Sequence, residues 1–457
     1  MTAENSSTGV VSRPAPRATS LALDLGTTTL VGRLLAADGT LLAEVRAANP
    51  QRCRGADILT RLQRAHEGQG EALQRLLVDG VHALVKDLLE TAGCPSDSVT
   101  AAAAAGNPGI CHLLCHLPVA SLLFPPHRSP LTGLTSLPPG EIDLGLTVPL
   151  QLFPAVSGFV GGDLVAVLFG VESLNCAARV ESLHRLQTRP EGIDSTIQRF
   201  NASTHEGDLP VTLVLDLGTN AEIALWTGSQ WRVTSAAAGP AFEAANIACG
   251  MPLAPGAVTD VHIAGDRLAL TVAGGGRPVG LCGSGLLALV AAARQGGLID
   301  AGGRIVAPAE IATNLARYLV ADGAGWALVF HRDARGELRL TQDDVRQLQL
   351  AKGAVRAGIE VLLDRSGLAV SAVAAVMITG AFGAALPVAA VKGIAMLPEG
   401  MIDKSLFVPN GVLDGLAAFL ADPCGVERLQ ALLATIKPLP LSGTPAFEKR
   451  FLAALEF

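Results

Sequence analysis

The sequence predicts a two-lobed α/β protein in which one strand–turn–hairpin device is used twice, with a ligand cleft between the copies. Three observations predict it. The chain has 457 residues, more than one compact core accommodates. The stretch LALDLGTTTLVGRLLAADGTLLAEV (21–45) reads as an apolar strand, an Asp-Leu-Gly-Thr turn and two further strands. The stretch LVLDLGTNAEIALWTGSQWRVTSAAAGPAFEAANIACG (213–250) repeats that order.

Each element of the device has its own signal. In the first copy the apolar strand ends at Asp24, and Gly26 permits a tight turn that a ligand can approach closely. TTLVGRLLA and TLLAEVRA then form a hairpin across Asp38-Gly39. In the second copy VTLVLDLG is a near-continuous apolar strand ending at Asp216, and AEIALW and WRVTS pair across TGSQ. Thr341 and Asp344 stand at capping-box spacing before a long helix. Val345, Leu348, Ala351, Val355, Ile359 and Leu362 mark its apolar face. Residues 184–209 are polar and turn-rich and read as an exposed insertion or linker.

Composition narrows the function classes. Hydrophobic residues make up 49% and charged residues 16%, which describes a well-buried globular chain. The net charge of −7 argues against nucleic-acid binding, which favours a basic face. No run approaches the roughly 20 apolar residues that span a bilayer, so no membrane association is expected. Residues 1–20 are polar, lack the apolar core of a signal peptide and read as a loose tail on a cytoplasmic protein. The eight cysteines are scattered and form no CxxC pair.

The chemistry that wants the repeated device is phosphate and metal binding. Backbone N–H groups of a tight Gly-Thr turn make a nest for phosphate oxygens. Gly26, Thr27 and Thr28 supply one nest, and Gly218, Thr219 and Asn220 the other. Asp24 and Asp216 at the strand tips suit Mg²⁺, held mostly through its own water. Two such loops facing each other form a clamp. Two ordinary hairpins with an Asp in each turn remain the plainer alternative.

These residues resemble the actin-like ATPase superfamily, whose fold is two duplicated ribonuclease-H-like lobes around an ATP cleft. The resemblance implies that DLGTTTL is the first phosphate loop and DLGTNAE the second. It assigns the Gly-containing loop SAAAGPAFEAANIACG, with Gly239, to the nucleotide, and places an adenosine-binding Gly pair at Gly380 and Gly383 in MITGAFGAAL. It also expects crossover helices, here matched to 157–170 and 382–393. Lobe I is then expected over 21–205, lobe II over 206–380, and a returning connecting helix with the C-terminal segment over 381–457.

A narrower resemblance covers about residues 20 to 400. ANPQRCRGADILTRLQRA, GNPGICHLL, SGFVGGDLVA, AAGPAFEAANIACGM, GLCGSGLL, LTQDDVRQLQLAKGAVRAGIEVLL and TGAFG occur in this order. Together they resemble the ATPase portion of the reductive activators of corrinoid proteins. Such activators use ATP to drive a low-potential electron into a Co(II) corrinoid and restore Co(I). The implied cofactors are ATP and Mg²⁺, and the implied partner is a corrinoid protein or corrinoid methyltransferase. A homodimer is also implied. Many members carry iron–sulfur cysteines. The first 20 residues contain none, and beyond residue 400 there is a lone Cys424. No intrinsic iron–sulfur cluster is therefore expected, and a separate ferredoxin or flavodoxin-like donor is.

Other residues carry two readings each. Asp163 in GGDLVA positions Mg²⁺ or the attacking water, or caps the following helix. Glu222 orders metal-bound water, or is an exposed strand residue. Lys352, by the resemblance, lies against the adenine or ribose; with Arg356 it also reads as a solvated basic face. CGSG (282–285) opens a helix and either touches phosphate or allows tight packing. Cys111, His112, Cys115 and His116 offer zinc ligands, or a cluster shared across a homodimer axis, or simply small buried residues.

Two function classes besides the activator remain open. A small-molecule kinase would need a general base, for which Asp163 is the candidate. A regulatory module that binds nucleotide without hydrolysis would tolerate a degraded loop, yet both loops are intact.

Overall fold

The computed structural model describes residues 18–174, 209–380, 386–441 and 443–457. The proposed linker at 184–209 lies, save Leu209, outside the described residues, as do the tail up to residue 17 and Gly383.

The first copy folds as expected into β1 (Thr19–Leu25), β2 (Thr29–Ala36) and β3 (Leu41–Ala48). Helix α1 (Gly70–Ala92) follows, then β4 (Val99–Gly106), helix α2 (Pro108–Leu114), β5 (Thr135–Leu137) and β6 (Leu150–Leu152). The sheet order is β3-β2-β1-β4-β6-β5, with β1 antiparallel to β2 and parallel to β4. Helix α3 (Gly162–Leu174) ends this half.

The second copy gives β7 (Thr212–Leu217), β8 (Ala221–Trp226) and β9 (Trp231–Ala236). Two small three-stranded sheets are inserted after it. One holds β10 (Ala257–Ala264), β11 (Arg267–Val272) and β12 (Gly280–Leu281); helix α4 (Gly283–Gln295) follows. The other holds β13 (Leu319–Asp322), β14 (Gly325–Asp333) and β15 (Gly336–Leu340). Helix α5 (Gln342–Ser366) begins at the expected Thr341–Asp344 capping box, and all six residues of its apolar stripe are buried. Further on come β16 (Ala375–Gly380), α6 (Val388–Gly393), β17 (Ser405–Phe407), α7 (Gly411–Ala421) and β18 (Ile436–Pro438), with helices over Gly425–Thr435 and Pro445–Ala453 on either side of β18.

The duplication is visible in the pairing. The second large sheet runs β17-β16-β7-β8-β9-β18. Its β7 is antiparallel to β8 and parallel to β16, just as β1 is flanked by β2 and β4.

Strand alternation then decides which way the acids face. Leu21, Leu23 and Leu25 pack into one core with Leu73, Leu77 and Val81 of α1. Leu213, Leu215 and Leu217 pack into a second core with Leu286 of α4 and Val355 of α5. The intervening Ala22 and Val214 share a third, central core with Leu164 and Leu168 of α3 and Leu413 and Leu416 of α7. Asp24 and Asp216 have the parity of Ala22 and Val214, so both face this central layer.

The crossover helices meet through glycine. A Cβ on Gly415 would lie 1.7 Å from the Ala166 carbonyl oxygen, and one on Gly170 would lie 3.1 Å from the Gly415 Cα. The expectation of a second crossover helix over 382–393 is corrected here. Val388–Gly393 instead packs on α4 of its own lobe, where a Cβ on Gly393 would meet Ala291 Cβ at 2.5 Å. The helix that crosses α3 is α7, about 20 residues further on.

Candidate functional site

Four acidic side chains converge where the two hairpins and α3 meet. Burial raises the Asp24 carboxyl to about 7, with the Asp163 charge adding to the rise and Arg46 opposing it. Burial raises Asp163 to about 6, while N–H groups of its own helix turn oppose the rise. Burial pushes Asp216 well above the usual carboxylate range, reinforced by Asp163 and then Asp24. The same holds for Glu222, reinforced by Asp163 and Asp216. Such a mutually repelling set is costly to desolvate and is the kind of feature a functional site carries.

Asp163 lies within the first turn of α3, not at the N-cap position expected of a capping residue. Its Oδ1 accepts from the Leu164 N–H at 2.9 Å in the first turn of α3, and its charge acts on the other three acids. Gly161 and Gly162 let this turn sit against the backbone: Cβ atoms there would meet the Gly106 carbonyl oxygen at 2.5 Å and the Phe153 carbonyl oxygen at 2.7 Å. Glu222 is not an exposed strand residue. It is 5% exposed, pairs across the hairpin with Asp216 and accepts a hydrogen bond from Ser235 Oγ at 3.2 Å.

The first loop, Gly26 to Thr28, is held by two asparagines that the spacing of the repeats does not reveal. Asn49 Nδ2 donates to the Gly26 carbonyl at 2.9 Å, and its backbone N–H donates to the Thr28 carbonyl at 2.9 Å. Asn107 Nδ2 donates to Thr27 Oγ1 at 2.9 Å, while its Oδ1 caps α2 through the Ile110 N–H. Thr27 is thereby buried with its hydroxyl proton free to donate. Both asparagines precede a proline that opens a helical turn, which is a legible capping signal.

The second loop is built differently. The Gly218 N–H donates to the Asn220 carbonyl at 3.0 Å. Thr219 Oγ1 donates to Glu243 Oε1 at 2.7 Å, so this hydroxyl presents only acceptor character outward. Glu243 closes the short helical turn Pro240–Glu243, which Gly239 enters at φ 73°, a backbone angle that favours glycine. Gly380 ends β16 opposite Leu217 at φ 130°, where a Cβ would lie 2.0 Å from the Leu217 carbonyl oxygen.

Several expected contacts fall elsewhere. Lys352 is fully buried; its ammonium donates to the Glu456 carbonyl and sits 5.0 Å over the Phe457 ring. It is committed to the C-terminal residues and is not a solvated basic face, because α5 turns this side under the chain end. Arg356 pairs with Glu360 at 2.6 Å and donates to the Leu397 carbonyl at 2.6 Å. CGSG takes its packing reading: a Cβ on Gly285 would lie 2.0 Å from the Val258 carbonyl oxygen, and Ser284 Oγ donates to the Thr259 carbonyl at 2.9 Å. Cys111 is buried with its thiol pushed well up by desolvation. Both ring nitrogens of His112 are engaged, with the Pro118 carbonyl and Ser129 Oγ. Among the described residues no group of three or more His, Cys, Asp or Glu is arranged to hold a metal directly.

Comparison with known families follows this geometry along almost the whole described chain. Residues 210–457 match the model of the C-terminal domain of RACo, the ASKHA domain. Residues 19–173 match the RACo middle region. The chain belongs to the RACo family. Its fold is the two-lobed actin-like one. A solved reductive activator for corrinoid, iron–sulfur protein superposes with a TM-score of 0.81 at 25% identity, over 97% of this chain and 67% of that one. The corrinoid activation enzyme RamQ of Eubacterium limosum is 26% identical over 94% of this chain and 69% of its own length. A [Co(II) methylated amine-specific corrinoid protein] reductase of Methanosarcina barkeri is 30% identical over 38% of this chain and 32% of its own.

Proposed function

We propose that this RACo-family protein is an ATP-driven reductive activator of a corrinoid protein. It couples ATP binding and hydrolysis to the transfer of one electron onto Co(II), which restores Co(I). The observation that carries the proposal is the meeting of Asp24 and Asp216, near the ends of the duplicated strands, with Asp163 of α3 and Glu222 of β8 in a chain of this family.

The residues divide the work as follows. Backbone N–H groups of Gly26, Thr27 and Thr28 and of Thr219 and Asn220 take the phosphate oxygens from two sides, while the Gly218 N–H, given to the Asn220 carbonyl, holds the second loop closed. The Thr27 hydroxyl donates to phosphate, because Asn107 already occupies its oxygen. Gly239 and Gly380 allow backbone to approach the nucleotide. Oxygen-only donors suit Mg²⁺, and Asp24 and Asp216 are the carboxylates near the ends of β1 and β7. They would hold the ion mostly through its own water, which Mg²⁺ gives up reluctantly. Bound there, the ion would supply charge neutralisation for phosphoryl transfer. Asp163, raised to about 6, is ionised at neutral pH and accepts a proton from the attacking water. Glu222 orders water beside Asp216.

We take the electron from a separate ferredoxin- or flavodoxin-like donor. No described helix is long and apolar enough to cross a membrane. A homodimer is carried by the family resemblance alone.

The test follows the Co(II) absorbance of candidate corrinoid proteins under a low-potential reductant, with and without ATP, beside Asp216→Asn. ATP-dependent loss of the Co(II) band, absent in the variant, is expected. A Co(II) band indifferent to ATP with every corrinoid protein, while a small hydroxylated metabolite stimulates turnover, overturns the proposal in favour of a kinase.

A further inference from the structure

The two jaws are not chemically equivalent. In the first, register places Asp24 opposite Val31 and Val31 opposite Arg46, so the three side chains form one row on one face of the sheet. In the second, Asp216 lies opposite Glu222 and Glu222 opposite Ser235. The first row ends in a cation, and the second holds a second acid. Arg46 stands two strand spacings from Asp24, roughly 10 Å, with only a valine between.

Arg46 is at present parked. Its Nε and one terminal nitrogen donate to Glu44 Oε1 at 3.2 and 3.1 Å, and that same nitrogen donates to Asn410 Oδ1. Neither contact is exclusive. Glu44 gives its other oxygen to Arg33 at 2.7 Å, and the Asn410 amide is neutral. The Arg46 side chain is 51% exposed, whereas Arg33, which also holds Asp414 of α7, is 14% exposed. Arg33 is the fixed anchor of the hairpin to α7, and Arg46 is the movable cation. Asn410 immediately precedes α7 in the left-handed conformation, at φ 58°.

We propose that Arg46 is the phosphate-binding cation of the first jaw, and that it reaches the nucleotide by exchanging Asn410 for a phosphate oxygen. This rests on reading the cleft as an ATP site. A polyphosphate carries several negative charges and competes readily with a neutral amide for a guanidinium. The exchange also releases a contact between the lobe I hairpin and the start of α7, so phosphate occupancy is felt at the helix that crosses α3.

The test is the affinity of the full chain for ATP, ADP and adenosine by titration calorimetry, for the native protein, Arg46→Ala, Arg46→Lys and Asn410→Ala, each with its melting temperature. Arg46→Ala is expected to weaken ATP about 10- to 100-fold, the scale of one charged hydrogen bond, and to leave adenosine unchanged. Arg46→Lys restores part of the loss. Asn410→Ala, which removes the competitor, tightens ATP about 2- to 10-fold. Arg46→Ala binding ATP as the native protein does overturns the proposal and leaves the ATP site intact. Equal weakening of ATP and adenosine also overturns it, by making the role structural. Weakening in Asn410→Ala sinks the exchange. Native protein that binds no ATP sinks both this proposal and the functional reading.

Discussion

Asp216 and Glu222 stand directly opposite each other across the β7–β8 hairpin, Asp216 half-buried and Glu222 buried, each with its carboxyl pushed well above its ordinary range. Like charges in this position destabilise a hairpin. The fold tolerates them because protons, or a bound cation, neutralise the pair. Asp216→Asn is therefore expected to raise the melting temperature of the ligand-free protein at pH 8 while abolishing ATP turnover. The gain is about 2–4 °C for each kcal/mol of repulsion removed. Scanning calorimetry and a phosphate-release assay on the same preparation check both halves.

Asp24 gives a pH dependence with a definite sign. Its folded pKa of about 7 lies above the ordinary 3.8, so folding takes up a proton. The associated stability is present at low pH and is lost as pH rises from about 4 through about 7. Comparing the melting temperature of the native protein with that of Asp24→Asn across this window isolates it. The native protein is expected to lose ground steadily to the variant as pH rises. A constant difference between the two would refute the assignment.

The first loop depends on Asn107, which caps α2 and fixes Thr27 at once. Asn107→Ala is expected to cost about 1 kcal/mol of stability, the usual size of a lost cap. It should also raise the KM for ATP several-fold, because the Thr27 hydroxyl is then free to turn away. Asn107→Asp keeps the cap and loses the donor to Thr27, so it should retain stability and still show the raised KM.

The glycine crossing predicts a steric effect with no chemistry in it. Gly415→Ala forces a methyl to within 1.7 Å of the Ala166 carbonyl oxygen. Overpacking of this kind costs about 1–3 kcal/mol. Gly133→Ala, where nothing lies within 4 Å of the new methyl, serves as the neutral control. Urea unfolding midpoints of the two variants report the difference.

Lys352 supplies a negative prediction. Its ammonium is bound to the Glu456 carbonyl and the Phe457 ring. Lys352→Met is expected to leave ATP affinity within about twofold, less than the loss of one hydrogen bond, and to lower the melting temperature. A large loss of ATP affinity at unchanged stability would restore the adenine contact read from the sequence.

The strand tips were legible because local pattern carried them. Asp24 and Asp216 each follow an alternating apolar strand, and each is followed by a glycine turn and a hairpin. The Thr341–Asp344 cap and the α5 stripe are likewise local, separated by three- and four-residue steps. Asn49 and Asn107 left a weaker mark, the Asn-Pro step that opens a helical turn. Glu243 left none, since its partner Thr219 is 24 residues away on another element. The second crossover helix was misplaced because 382–393 and 411–421 are both small-residue, apolar stretches. Only the contact between Gly170 and Gly415 tells which one crosses α3.

By itself the sequence determined that the chain has two related halves, where the glycine turn of each hairpin lies and which acids end the strands. These are consequences of periodicity and turn chemistry within about ten residues. Only the tertiary structure decided that Asp163 and Glu222 join those acids, that α7 is the returning helix, that Lys352 serves the chain end, and that one jaw carries a cation in Arg46 where the other carries an acid. Those facts depend on sheet register and helix crossing. Register is set by pairing between distant segments, and no local pattern encodes which distant residue will stand opposite.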